Sequence, residues 1–134
     1  MSSSLYMSKQ TLAILPQSMV IHSLDADSDI PKAVYDSPLF FIGKTYEELS
    51  IVVPNDIEID SIESDDNWRA LELIGPLELS MVGIMAGIGD VLAKAKVSMF
   101  VVSTFETDFF LVKDNKLDAA VAALESNGYT VIQH

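Results

Sequence analysis

Two stretches of the chain combine residue types and spacing that suit the capture of a small charged molecule. The first is Gly75-Pro76-Leu77-Glu78-Leu79-Ser80-Met81-Val82-Gly83, which reads as a turn from a strand into a helix. The free backbone amides of a helix start point beyond the strand end and favour an anion there. The second is Ser103-Thr104-Phe105-Glu106-Thr107-Asp108, a polar hexapeptide between two very apolar strands. A free amino acid needs amides for its carboxylate and an acid for its ammonium. The first stretch offers the amides and Asp108 offers the acid. The composition of the second stretch equally suits an ordinary hairpin turn held by Asx-type side-chain bonds.

Other reactive residue types lack the partners that chemistry requires. His22 sits inside an apolar run and His134 ends the chain, neither near a nucleophile with an orienting acid. Glu47-Glu48 and Asp65-Asp66 are adjacent acids in polar stretches, the pattern of a solvated surface. Asp25, Asp27 and Asp29 match the first three ligand positions of a calcium loop, but the glycine position holds Ile30 and the closing glutamate position holds Asp36. Gly83, Gly87 and Gly89 fit neither phosphate-loop pattern. One turn apart on a helix, Gly83 and Gly87 instead allow close approach of a sheet or partner. No catalytic residue, metal site or cofactor is expected.

The elements that must position these residues can be read from apolar spacing. Leu12–Leu15 and Met19–Leu24 are β-type runs split by Pro16, which cannot donate to a ladder and predicts a break. Pro31 opens a short helix over Lys32–Tyr35. Leu39–Ile42 and Leu49–Val53 form a hairpin around Lys44–Glu48. Residues 55–67 are acidic, and Ile57, Ile59 and Ile62 make them a packed connection. Trp68–Ile74 is the next strand. Ile84, Ile88, Val91, Leu92 and Ala95 predict a helix from Met81 to Lys96, with Ser80 as N-cap. Ser98–Thr104 and Phe109–Val112 are strands. Asp114 or Asn115 caps a helix that carries Leu117, Ala120, Val121 and Leu124 and that Asn127-Gly128 closes. Tyr129–Gln133 is the last strand.

From Trp68 onward the order is β-α-β-β-α-β, the ferredoxin-like pattern of an antiparallel sheet with helices on one face. The first half reads as a reduced copy. The expected class is therefore α+β, with a reduced module at 11–66 and a complete one at 67–134. The 134 residues bury roughly two-thirds of the surface that the unfolded chain exposes, enough for a good core. A net charge of -12, from 20 acids and 8 bases, argues against nucleic acid and against a polybasic membrane contact. The chain has no cysteine, which excludes thiolate chemistry and disulfides. With no signal segment and no ~18-residue apolar run, the expected location is cytoplasmic.

Trp68-Arg69-Ala70-Leu71, the stretch from Gly75 through Ala86, and Ser103 through Lys113 together resemble the ACT domain. More narrowly, they resemble small two-ACT proteins related to aspartate kinase regulatory domains and CASTOR-type amino-acid sensors. Lys44-Thr45-Tyr46-Glu47-Glu48-Leu49-Ser50-Ile51-Val52-Val53-Pro54 is similar to that group's T-x-[DE]-E-L-S-[IV]-V-x-P segment. The resemblance covers residues 11 to 132. It implies paired ACT modules, a homodimer, and an amino acid held where two modules meet. Carried over by motif, the ligand contacts fall on Ser80, Met81, Val82, Gly83, Thr104, Phe105 and Asp108. The chain departs from the group at Glu78-Leu79, where Asp-Phe is frequent, and at Val82, where Thr is frequent. The resemblance implies a non-catalytic regulator. An interaction module that pairs without a ligand is the other reading the sequence allows.

Overall fold

Short apolar runs between polar turns become strands, and the two runs with helical spacing become helices. The computed structural model describes residues 9–75 and 81–134, with side chains in the second helix from Gly83 onward. Its elements are β1 (Thr11–Leu24), α1 (Lys32–Asp36), β2 (Phe41–Lys44), β3 (Leu49–Pro54), β4 (Glu63–Gly75), α2 (Met81–Lys94), β5 (Met99–Ser103), β6 (Asp108–Lys113), α3 (Leu117–Ser126) and β7 (Thr130–Gln133). The class is α+β, as the order of elements predicts.

The chain divides into two units. One is Gln17–Trp68; the other joins the described residues up to Pro16 to Arg69–His134. The expected modules at 11–66 and 67–134 run across this division, because the first part of β1 groups with the C-terminal unit.

In the N-terminal unit β2 pairs β3 and β3 pairs β1, both antiparallel. With β4 beside β1, the order is that of a ferredoxin-like sheet. Leu24, Val34, Leu49, Ile51 and Val53 form the core. Helical cover is reduced to the five residues of α1. Ile57 and Ile59 of the acidic connection pack on the same core.

In the C-terminal unit β6 lies between β4 and β5, and α2 and α3 cover one face. The core there joins Leu71, Leu73, Phe110 and Val112 of the sheet to Ile88 and Leu92 of α2 and Leu124 of α3. Burying each such side chain is worth about 1.5–3 kcal/mol. The sheet differs from the plain ferredoxin-like order in one respect. β7 pairs with β1, in parallel, with Thr11 opposite Thr130. Thus β1 lies between β4 and β7.

Several boundaries differ from those expected. Pro16 does not break β1. The carbonyls of Ile14 and Ser18 both face the edge that β7 and β3 use, accepting from His134 and Asn55. Alternation puts Pro16 on that edge too. There the β7 register ends at Ile14 and the β3 register begins at Met19, so no partner misses the absent N–H. β2 starts at Phe41, because Ser37 engages both backbone groups of Leu39 in a turn. β4 starts at Glu63 and not Trp68; its first five residues are all exposed and lack the apolar alternation that marks a strand. Asn67 has a left-handed φ of 62° within it. Neither Asp114 nor Asn115 caps α3 through its side chain. A 3-10 turn at Asp114–Lys116 leads in instead, and Asp114 pairs with Arg69 at 3.3 Å.

Candidate functional site

The β5–β6 hairpin carries three of the expected site residues. Ser103 and Asp108 are partners across it. The Thr104 amide donates to the Thr107 carbonyl at 2.8 Å. The Thr104 hydroxyl donates to the same carbonyl at 3.0 Å and accepts from the Thr107 amide at 3.2 Å. A hydroxyl can close a turn in this way because it both donates and accepts. Thr104 is therefore a turn-closing residue, as the ordinary-turn reading requires. Phe105 stands at the tip, 105% exposed.

Asp108 is different in kind. It is 3% exposed. Alternation along β6 puts it on the same face as Phe110 and Val112, the face that α2 and α3 cover. Its Oδ2 is buried and has no hydrogen-bond partner among the described residues. An unpaired buried polar atom costs about 1–3 kcal/mol.

The β2–β3 hairpin shows what this position ordinarily holds. The Thr45 amide donates to the Glu48 carbonyl at 2.9 Å. The Thr45 hydroxyl accepts from the amides of Glu47 and Glu48 at 3.2 and 3.1 Å. Tyr46 stands at the tip, 103% exposed. The two turns thus match in the closing threonine and the exposed aromatic. At the place of Asp108 the first hairpin has Leu49, 2% exposed and part of the core. A core position has been given to a carboxyl group.

The remaining expected residues lie at the start of α2. Ser80 falls outside the described residues. Met81 and Val82 open the helix. Gly83 follows, exposed, and a Cβ there would meet nothing within 4 Å among the described residues. Gly87 has the opposite surroundings: a Cβ would stand 2.9 Å from the Tyr129 hydroxyl.

One residue that sequence reasoning passed over joins the hairpin to β4. The Thr107 hydroxyl donates to the Leu73 carbonyl. Thr107 is 9% exposed. Leu73 lies two residues before Gly75, where β4 ends with a φ of 138° that favours glycine. The signal was present in the sequence as Thr where the first hairpin has Glu48.

The other candidates have structural surroundings. Nδ1 of His22 and the Ser61 hydroxyl are 2.9 Å apart in a hydrogen bond. Burial lowers the His22 pKa below its ordinary 6.5. Asp25, Asp27 and Asp29 are exposed on a turn in which the Ser28 amide donates to the Asp25 carbonyl. Among the described residues no three acids or histidines gather as metal ligands. A cavity of about 300 Å³ lies at the end of β3, with Asp36, Ser37, Pro54 and Asp56 in its wall. Both acids are exposed, and the Ser37 hydroxyl is already bonded to Leu39. No helix among the described residues is long and apolar enough to cross a membrane.

Comparisons with known proteins follow the same lines. The model of the ACT domain matches residues 63–126. No curated protein matches the chain. Among solved structures, the protein Atu0741 from Agrobacterium tumefaciens is 30% identical, with a TM-score of 0.87 over 96% of each chain. A putative C-terminal regulatory domain of aspartate kinase from Porphyromonas gingivalis is 16% identical, with a TM-score of 0.62 over 89% of this chain and 96% of that one. The regulatory subunit of aspartate kinase from Thermus thermophilus, in a ligand-free form, is 14% identical, with a TM-score of 0.57 over 82% of this chain and 92% of that one.

Proposed function

The chain belongs to the ACT domain family, and on that premise we propose that it is a non-catalytic regulatory protein that binds a free amino acid through Asp108. The observation that carries the reading is the buried Oδ2 of Asp108, unpaired at a position where the matching hairpin has a core leucine. Folding alone gains nothing from a carboxyl group there. A ligand ammonium would give the oxygen its missing partner. The start of α2 would face the ligand carboxylate, with Gly83 leaving room for its approach. Thr104 and Phe105 would border the site from the hairpin. The likeness to regulatory domains of aspartate kinase supports a role in control of a partner. Binding that favours one arrangement of the modules would supply that control. A cytoplasmic location, where free amino acids are available, belongs to this reading.

Pairing of two copies completes the proposal. β5 has β6 on one side and ends the order of strands. It has no charge or proline, the devices by which an edge strand avoids further pairing. Val101 on it is exposed. The same edge supports the second reading, an interaction module that pairs without a ligand.

A thermal-shift screen of the twenty L-amino acids, with Asp108→Ala and Asp108→Leu beside the wild type, separates the two. The expected result is stabilisation of the wild type by one or a few amino acids and no response in either variant. Asp108→Leu should itself melt higher than the wild type, because it restores the residue type of the first hairpin. A wild-type dimer that ignores all twenty would favour the second reading.

A further inference from the structure

We infer that Thr107 is the positioning residue of the Asp108 carboxyl group; this rests on the reading of Asp108 as the ligand-binding acid. All three polar groups of Thr107 are engaged. Its amide donates to the Thr104 hydroxyl, and its carbonyl accepts from the Thr104 amide and hydroxyl. Its own hydroxyl donates to the Leu73 carbonyl. The residue before Asp108 is therefore fixed to its own turn and to the neighbouring strand at once. Leu73 belongs to the segment of β4 that runs on to α2, so a single hydroxyl ties the hairpin to the approach of that helix.

The first hairpin separates this tie from mere turn closure. Glu48 occupies the place of Thr107, and the Thr45 turn closes without any help from it beyond the backbone. Glu48 is exposed, and its carboxyl accepts from the Ser23 hydroxyl at 3.4 Å. The hairpins thus differ at two successive positions. Where the second hairpin gains a buried acid, it also gains a buried hydroxyl bonded to β4. The Oδ2 of Asp108 has no hydrogen bond among the described residues to hold its direction. The anchor beside it does that work.

The test compares Thr107→Val and Thr107→Ala, which remove the hydroxyl, with Thr107→Ser, which keeps it. The ligand-free readout is the 13Cγ resonance of Asp108 and its pH titration. Val and Ala should displace this titration, and Ser should restore the wild-type curve. In the screen of twenty L-amino acids, any response of the wild type should need about tenfold more amino acid in the Val and Ala variants, the effect of about 1.4 kcal/mol. Lower melting temperatures in both variants with an unchanged Asp108 titration would leave Thr107 a structural residue and overturn the inference. If Thr107→Val does not fold, Thr107→Ala against Thr107→Ser decides the same point. If the wild type answers no amino acid, the ligand reading falls, while the titration still decides the role of Thr107.

Discussion

His22 is, beside Asp108, a buried residue with a polar atom left unpaired, and its consequence is a dependence on pH. It is 7% exposed; Nδ1 bonds to Ser61, and Nε2 is buried without a partner. β1 carries no other ionisable side chain and β3 carries none. Asp56, Glu58 and Asp60 of the connection that covers this core are exposed to water. Burial therefore acts alone, and the folded pKa lies below 6.5. An unfolded chain titrates at the ordinary value and binds the proton first as pH falls. The contribution of neutral His22 is complete above about 6.5, shrinks as pH drops below it, and is fully lost once pH passes the lowered folded pKa. His22→Leu should flatten that part of the stability profile, measured by urea unfolding between about pH 5 and pH 8. An identical slope in wild type and variant would mean that another group titrates there.

At the scale of elements, the two glycines of α2 make opposite forecasts. Glycine within a helix costs about 0.5–1 kcal/mol relative to alanine. Gly83→Ala should recover that amount, since the added methyl meets nothing within 4 Å among the described residues. Gly87→Ala should not, because its methyl would press on the hydroxyl of Tyr129, which is 7% exposed and has little room to move. Equal stabilisation of both variants in chemical denaturation would contradict this account. The helix was legible in the sequence because its apolar residues recur at one period. α3 was legible for the same reason, and Gly128 ends it with a φ of 93°. The start of β4 was not, since Glu63–Asn67 bury nothing and leave no pattern. Pro16 misled because a missing N–H matters only where a neighbouring strand stands opposite it, and the registers of β7 and β3 leave a gap at Pro16. Asp108 was legible as an acid in a polar turn; its burial was not, because the cover comes from the packing of α2 and α3 on that face of the sheet, which the turn's own residues do not record. Thr107 was missed because a threonine in a turn resembles any other until its hydroxyl is seen to leave the turn.

For the whole molecule the decisive quantity is the distribution of charge. Twelve of the 20 acids but only two of the 8 bases lie between Gln17 and Trp68. That unit carries most of the net -12 on a small core with little helical cover. Like charges repel most at low salt and are screened over about 10 Å at 0.1 M. The melting temperature should rise between about 0.01 M and 0.15 M sodium chloride. Glu58→Gln with Asp60→Asn should weaken that rise, whereas no salt response at all would mean that folding adds no charge repulsion, and a fall would locate the charge cost in the unfolded chain. The lodging of β1 between β4 and β7 has a consequence of another kind, in time. Thr11–Ile14 are made long before their parallel partner Thr130–Gln133. At about 5–20 residues per second, this apolar strand waits on the order of ten seconds for its neighbour. The fold cannot be completed in the order in which it is made. The newborn chain must keep Leu12-Ala13-Ile14-Leu15 from sticking elsewhere until Thr130–Gln133 is made.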